Sequence, residues 1–391
     1  MMGVLGFFWL LAGVRPVFRQ LFCRKIILLW ILFYLLHVFG YFISTDKEQA
    51  SFELVHKLSF VVLPLIAGTG PELKERHMRA IFLSLTAGVV VIACWAYLRA
   101  WQEYRLDGNL QHFFYHDLAG VTEANAVYLA WYTLCALFFL ILLPYRFFRM
   151  SRWLHIALLV FLEIFFLALS SRLLIALHAV LLIPMVLLAN ASRRNRLRPL
   201  LLLSILFTGM VVALAVTDNP VSERYKAMLP NDGNAWLKDN PDQEQQKQQF
   251  TNLTLRLFLW KTSLEAIRDH HLYYYGGGIG DVARYQKVSI QRYDSKLNEG
   301  NRKAELWRYN IHNMYIEALY MLGIPGLLNL LVLIFLPLWV IRDQTFRYPF
   351  VAFTLISAFF MCVEAALQTQ AGIIFFPLFS ILFLRFQYDK G

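Results

Sequence analysis

The sequence predicts an all-α polytopic membrane protein with about 10–12 transmembrane helices and one large loop on the outer side of the membrane. Of its 391 residues, 58% are hydrophobic and only 16% are charged, and the mean hydropathy is +0.50. A soluble protein carries about 25% charged residues. Its apolar runs repeatedly approach the roughly 20 residues that a helix needs to cross ~30 Å of hydrocarbon. The large outer loop is expected to contain amphipathic helices.

The candidate spans follow from these apolar runs, of which 57–71 is short. Residues 2–14 are expected to form an additional short or truncated span rather than a signal peptide, because no basic region precedes their apolar stretch. The predicted spans are 25–44, 57–71, 80–101, 125–144, 154–170, 172–191, 199–217, 322–341, 348–366 and 370–386.

The basic residues indicate how these spans are oriented. The formal net charge is +11, but the cations cluster in short connectors. Lys and Arg in short loops mark the cytoplasmic side of a membrane, and placing every basic connector there gives a consistent alternation with a cytoplasmic C-terminus. This distribution argues against nucleic-acid binding. The basic connectors are 19–25, 72–79, 145–152, 193–198 and 341–347.

The alternation divides the chain into N-terminal transmembrane helices (1–217), a large outer loop (218–312) and C-terminal transmembrane helices (313–391). The cysteines at 23, 94, 135 and 362 are scattered, which indicates neither a metal site nor a disulfide framework. Within the loop, apolar residues at spacings of four and three predict an amphipathic helix with Arg256 beside its apolar stripe. The stripe residues are Leu253, Leu257, Trp260, Leu264 and Ile267.

Two arginines are candidates for a functional role. Arg172 lies with Ser170 and Ser171 in a tight outer corner between two apolar spans. Snorkelling to the interface is the ordinary explanation for such an arginine, but that role is more common on the cytoplasmic side, so a polar cavity is favoured. Arg256 is equally well explained as a solvated residue beside the apolar stripe.

A glycine-rich turn and a histidine complete the set of candidates. Gly276–Asp281 lacks the βαβ surroundings of a dinucleotide site, which leaves a tight turn whose N–H groups can meet a phosphate. His312 is expected at the start of a helix at the outer membrane surface, with a bend at 323–326. The positive end of the helix dipole disfavours the imidazolium there, and a neutral imidazole can accept a proton. An interfacial His that is merely hydrogen-bonded remains the alternative.

In combination these features resemble the O-antigen ligase family of bacterial envelope glycan transferases, also called the O-antigen ligase/polymerase superfamily. The resemblance covers roughly residues 120–390, while the N-terminus looks one or two spans short of the usual number and shows no motif for recognising an acceptor. The family signature is His-Asn, nine residues, Gly, two residues, Gly. The matching positions are His312-Asn313, Gly323 and Gly326 for this signature, Ser171-Arg172 for the outer corner, Arg256 with Trp260 for the loop arginine, and Gly276, Gly278 and Gly280 for the glycine-rich turn.

The resemblance implies transfer of a glycan from an undecaprenyl-diphosphate carrier to the lipid A–core oligosaccharide, at the periplasmic face of the bacterial inner membrane. It also implies that the enzyme needs no cofactor and no metal ion, and that membrane lipids surround the protein. His312 would be the general base. The substrate-binding residues would be Arg172, Arg256, Asn313, Gly278 and Gly280.

Three alternatives remain open at this stage. The same superfamily includes O-antigen polymerases and protein O-oligosaccharyltransferases, which share the carrier and differ in the acceptor. A metal-dependent membrane glycosyltransferase would need an outer acidic pair, for which Asp46 and Glu48 are the candidates. A transporter of lipid-linked glycans is disfavoured, because transporters place polar residues at mid-membrane depth.

Overall fold

The computed structural model describes residues 25–70, 72–120, 125–190, 209, 250–297, 305–343 and 345–390. Within these ranges the regular elements are α-helices, joined by short 3₁₀ turns at Leu110–Phe113, Asp294–Lys296, Leu306–Arg308 and Ala366–Gln368. The α-helices are α1 (Lys25–Ile43), α2 (Lys47–His56), α3 (Ser59–Thr69), α4 (Glu75–Asp107), α5 (Tyr115–Ala119), α6 (Ala126–Leu142), α7 (Tyr145–Phe148), α8 (Arg152–Ala168), α9 (Arg172–Asn190), α10 (Asn252–Asp269), α11 (Val282–Gln291), α12 (Met314–Val340), α13 (Arg347–Met361) and α14 (Gln370–Lys390).

The predicted fold class is confirmed. Among the described residues, five helical segments are long and apolar enough to cross a membrane, and three shorter apolar helices accompany them. Every predicted span coincides with a described helix except 199–217, which lies outside the described residues apart from Gly209, as do residues 2–14. The five long segments are Lys25–Ile43, Lys47–Thr69, Glu75–Asp107, Met314–Val340 and Gln370–Gln387, and the shorter ones are Ala126–Leu142, Arg172–Met185 and Arg347–Met361.

The polar stretch between the predicted spans 25–44 and 57–71 contains a helix that those spans did not predict. Residues 47–56 form α2. The carboxylate of Asp46 caps this helix by accepting a hydrogen bond from the N–H of Gln49 at 2.9 Å. An N-cap oxygen satisfies one of the free N–H groups at a helix start, so a polar sequence forms a helix at this position.

The helix α6 lies at the centre of the bundle. Nearly all of its side chains are buried, because α4, α8, α9 and α13 all pack around it. Trp131 stacks on Phe360 of α13 with ring centroids 4.5 Å apart, and its indole N–H donates to Ser357 at 3.2 Å. In a membrane, helices associate through close packing and interhelical hydrogen bonds rather than through a hydrophobic driving force. This contact therefore fixes the start of α6 against the end of α13.

The helix α12 bends where the sequence predicted a bend. Gly323 has φ 68° and ψ −165° inside the helix, a conformation available almost only to glycine. The bend frees the N–H of Ile324, which donates to the carbonyl of Tyr273 at 2.7 Å. The loop segment that precedes the glycine-rich turn thus anchors the bend.

The described part of the large loop packs as a small helical unit on the bundle. The helices α10 and α11 contact each other, and α10 also contacts α12. Gln286 of α11 bridges two hydroxyls of α10, since its amide N–H donates to Thr262 at 2.7 Å and its carbonyl accepts from Ser263 at 3.0 Å. These buried bonds orient α10 and with it Arg256.

Candidate functional site

A single carboxylate brings together two of the side chains that the sequence singled out. One carboxylate oxygen of Glu364 accepts a hydrogen bond from the Arg256 guanidinium, and the other lies 3.1 Å from Nδ1 of His312. Glu364 is almost completely buried, whereas the side chains of Arg256 and His312 are 26% and 24% exposed. The centre therefore has a buried anion and two partners that a ligand can reach.

His312 occupies an unusual backbone position. Its φ is 52°, which is uncommon for a residue with a side chain. Its N–H donates to the side chain of Asn310 at 2.9 Å, and the imidazole then reaches Glu364. A backbone conformation of this kind costs of order 1–3 kcal/mol and persists only where the surroundings hold it.

Asn313 supplies part of that support. Its side-chain oxygen accepts hydrogen bonds from the N–H groups of Tyr315 and Ile316, which makes it the N-cap of α12. Its amide N–H₂ donates to the carbonyl of Cys362 at 2.9 Å. Asn313 thus ties the start of α12 to the end of α13, and Glu364 follows two residues after Cys362. The structure gives this predicted substrate-binding residue a positioning role.

The segment after Glu364 is held by a buried lysine. The ammonium group of Lys57 donates to Glu53 at 2.5 Å and to Gln368 at 2.6 Å, and its side chain has no exposed surface. A buried ammonium needs partners of this kind, because an unpaired charge is costly to remove from water. The α2–α3 junction and the segment carrying Glu364 are therefore linked.

The arrangement has a definite chemical consequence for His312. A carboxylate only accepts hydrogen bonds, so the contact with Glu364 requires a proton on Nδ1 of His312. In the neutral imidazole this leaves Nε2 as the unprotonated nitrogen, able to accept a proton from a substrate. A carboxylate in this position can also stabilise an imidazolium, as the aspartate does in a Ser-His-Asp triad.

Arg172 lies at the end of the bundle where α12 begins, which we call the His312 end. It is the half-buried first residue of α9, directly after the buried Ser170 and Ser171. The helix α9 packs against α13, whose last turn leads to Glu364. Alternation of helix direction thus places Arg172 near the same surface, whereas direct contact with Glu364 is made by Arg256 and His312.

The glycine-rich turn has a different role from the one predicted. The N–H of Gly278 donates to the carbonyl of Met321, and the N–H of Gly280 donates to the hydroxyl of Ser44 at 3.0 Å. A Cβ at Gly278 would lie 2.5 Å from that hydroxyl oxygen. Gly278 and Gly280 are therefore needed for close packing against α1 and the bend of α12. Because their N–H groups are used within the protein, we do not place them among the substrate contacts.

The acidic pair of the metal-dependent alternative is not assembled as a ligand set. The carboxylate of Asp46 is occupied as the cap of α2. Its backbone N–H and that of Thr45 both donate to Asp281. Among the residues that the structure describes, no group of three or more His, Cys, Asp or Glu side chains is placed to hold a metal ion.

Sequence reasoning missed Glu364 and Lys57. The available signal at Glu364 was one acidic residue at the outer end of an apolar span, in MCVEAALQ. An intramembrane or juxtamembrane charge normally has a partner, but its partners are 52 and 108 residues away along the chain. The role of Lys57 could not be predicted for the same reason, because its partner Gln368 is distant in sequence.

Comparison with known proteins adds one result. Residues 156–331 match the family model described as O-antigen ligase. The matched segment includes Arg172, Arg256, His312 and Asn313, and it ends before Glu364. No curated protein matches the chain.

Proposed function

The chain belongs to the O-antigen ligase family through residues 156–331, and from this premise we propose that it transfers a glycan from an undecaprenyl-diphosphate carrier to the lipid A–core oligosaccharide. The transfer would take place at the periplasmic face of the inner membrane, without a metal ion. The family and the membrane helices are established, and the donor, the acceptor and the catalytic roles are the proposal. The observation that carries it is Glu364 bridging Arg256 and His312.

In the proposed reaction, Nε2 of His312 takes the proton from an acceptor hydroxyl as its oxygen attacks the anomeric carbon of the donor glycan. The bond between that carbon and the carrier's phosphate oxygen breaks, and undecaprenyl diphosphate leaves with the electron pair. General-base assistance of this kind contributes typically about 10²–10⁴-fold to a rate. Because one nucleophile displaces one leaving group, the new glycosidic bond has the opposite anomeric configuration.

The diphosphate needs cations as its bond to the sugar breaks. A guanidinium has five N–H donors in a planar fork, so Arg256 can hold Glu364 and still offer donors to a phosphate. Its side chain is 26% exposed, which leaves room for that contact. Arg172, at the same end of the bundle, is the second proposed ligand. Lysine at either position would supply a point charge without the fork and would restore activity only in part.

The test is a transfer assay with purified protein in lipid nanodiscs. One labelled carrier-linked glycan is offered in separate reactions with lipid A–core, with a second carrier-linked glycan and with an acceptor protein. Product on lipid A–core alone supports ligation, whereas elongation of the carrier-linked glycan or labelling of the protein indicates a polymerase or a protein glycosyltransferase. His112→Ala is a suitable control, since this histidine lies outside the site and bonds to Asp107.

The same assay tests the two remaining alternatives. Activity should persist in EDTA, and a loss that Mg²⁺ or Mn²⁺ restores would favour the metal-dependent enzyme. Movement of the labelled lipid across the bilayer without any product would indicate a transporter.

A further inference from the structure

The helix that carries Arg256 has an unusual distribution of residues. The face of α10 turned toward the protein carries hydroxyl groups, and Thr262 and Ser263 are completely buried against Gln286. The opposite face carries three leucines of the apolar stripe that the sequence predicted. The exposed fractions are 45% for Leu253, 38% for Leu257 and 48% for Leu264. The inner face thus combines these hydroxyl groups with buried apolar side chains such as Phe258 and Leu259, while the outer face exposes leucines.

These leucines form one continuous stripe. Spacings of four and seven residues bring side chains to the same face of an α-helix, and eleven residues at 1.5 Å each extend over ~16 Å. A helix whose outer face meets water carries polar residues on that face, whereas the outer face of α10 exposes three leucines. The stripe therefore indicates that α10 borders an apolar medium.

The position of α10 identifies that medium. The helix packs directly on α12, which is apolar and long enough to cross a membrane. In this contact Ala266 and Ile267 of α10 cluster with Tyr320, in the half of α12 that precedes the bend. The helix α10 therefore lies beside the first turns of a membrane-spanning helix, at the level where the bilayer surface is expected.

The residues that flank the leucines fit a lipid surface. Trp260 borders the stripe on the side of α12, and Lys261 and Arg268 border it on the other side. Leucine and tryptophan together with lysine and arginine are typical of helices that lie in the membrane interface, where the cations meet anionic headgroups. The guanidinium of Arg268 remains exposed although it also pairs with Asp269.

We propose that the stripe formed by Leu253, Leu257 and Leu264 seats α10 on the bilayer surface at the His312 end of the bundle. Arg256 is on the same helix beside this stripe, so seating α10 sets the guanidinium at the depth of lipid phosphate groups. The link between this depth and Arg256 as a donor ligand rests on the proposed function, because a lipid-linked diphosphate donor presents its charge at the depth of the lipid phosphates. The bilayer contact itself does not depend on the reaction.

The test measures lipid contact directly, with no glycan transfer involved. A variant lacking the four native cysteines receives Leu257→Cys, a fluorescent thiol label and nanodiscs containing phosphatidylglycerol. Quenching by lipids with a spin label near the headgroup is compared with quenching by aqueous iodide. The matched control is Val288→Cys on α11, which is 43% exposed but whose exposed neighbours are Arg284, Lys287 and Gln291.

The label at position 257 should be quenched by the lipid several-fold more than the label at position 288, and iodide should show the reverse order. Equal access of iodide to both labels would overturn the proposal. So would a label at 257 shielded from both quenchers, since that result means that protein, such as a second copy of the chain, covers the stripe. Leu264→Cys provides a second position, and it must agree with Leu257→Cys for the proposal to stand.

Discussion

The two carboxylate oxygens of Glu364 contact different side chains, one the Arg256 guanidinium and the other the His312 imidazole. These two contacts determine what the site can do. Removing a carboxylate from water costs several kcal/mol unless a partner compensates, and Glu364 is only 2% exposed. Arg256 supplies the permanent positive charge that compensates this buried carboxylate. Truncating Arg256 would remove a proposed diphosphate ligand and would also leave the buried Glu364 without its permanent cation, so a loss of activity would have two causes. Glu364 is therefore the more informative residue to change.

Glu364→Gln should lower the turnover number by roughly 10²–10⁴-fold, because the amide keeps the size of the side chain but no longer stabilises the imidazolium. Donor binding should stay within a few-fold of wild type. Steady-state transfer and equilibrium binding of the labelled donor measure the two effects separately. Glu103→Gln is the control, since Glu103 is an exposed acid that pairs with Arg99. Wild-type turnover in Glu364→Gln would remove the carboxylate from the mechanism.

At the scale of elements, the bend in α12 connects the loop to the transmembrane helices. The bend opens the helix at Gly323, and the N–H of Ile324 then bonds to the loop. The same loop reaches α1 through the contact between Gly280 and Ser44. A helix without the bend would lose both the anchor and the packing of the glycine-rich turn.

Gly323→Ala should lower the melting temperature of the detergent-solubilised protein. Its backbone conformation costs roughly 1–3 kcal/mol for a residue with a side chain, and the new Cβ would lie 2.6 Å from the carbonyl oxygen of Tyr274. Gly88→Ala is a matched control in the interior of α4, where a Cβ meets nothing within 4 Å. That change should leave the melting temperature unchanged or raise it, because alanine is the better helix residue. A melting temperature for Gly323→Ala equal to that of Gly88→Ala would contradict the account of the bend.

The loop helices should also respond to acid through Asp269. Hydrogen bonds from Arg292 and Arg268 hold the pKa of this carboxyl below its usual value, and Arg292 follows the end of α11. A pKa lowered by folding contributes stability above the unfolded pKa of about 3.9. That contribution is lost as the pH falls through the lower, folded pKa.

Asp269→Asn should therefore destabilise the loop at pH 7 and have no effect at a pH below both pKa values. Hydrogen exchange of α10 and α11 at the two pH values measures this directly. Glu48→Gln serves as the control for removing an acidic charge in an exposed segment. A difference that persists at the low pH would show that the ion pairs are not the cause.

At the scale of the whole molecule, much of the architecture follows from local sequence. Apolar run length predicted the described helices that coincide with the predicted spans, and the spacing of apolar residues predicted α10, but α2, α5, α7 and α11 were not predicted. The signature at 312–326 predicted both the start and the bend of α12. The sequence could not show that Glu364 bridges Arg256 and His312, because that contact joins three separate elements. It also did not show which face of α10 is buried, since burial there depends on Gln286 of another helix. Long-range contacts, rather than local propensities, decided these features.

The orientation of the bundle in the membrane remains a prediction of the basic connectors. Ser295→Cys, in the large loop, should react with a membrane-impermeant thiol reagent added to cells with a permeabilised outer membrane. Arg146→Cys, between α6 and α8 at the opposite end, should react only once the inner membrane is also opened. The native cysteines are removed in both variants. Labelling of position 146 under the first condition would invert the topology and move the site to the cytoplasm.

The central claim is that His312 acts as a base rather than as a ligand for the carrier. The most direct measurement is single-turnover transfer by His312→Ala in nanodiscs, with donor binding determined on the same preparation. The account predicts a rate lower by about 10²–10⁴-fold with donor affinity nearly unchanged, because Arg256 and Arg172 carry the diphosphate. Normal transfer by the variant, or loss of donor binding in step with the rate, would contradict it.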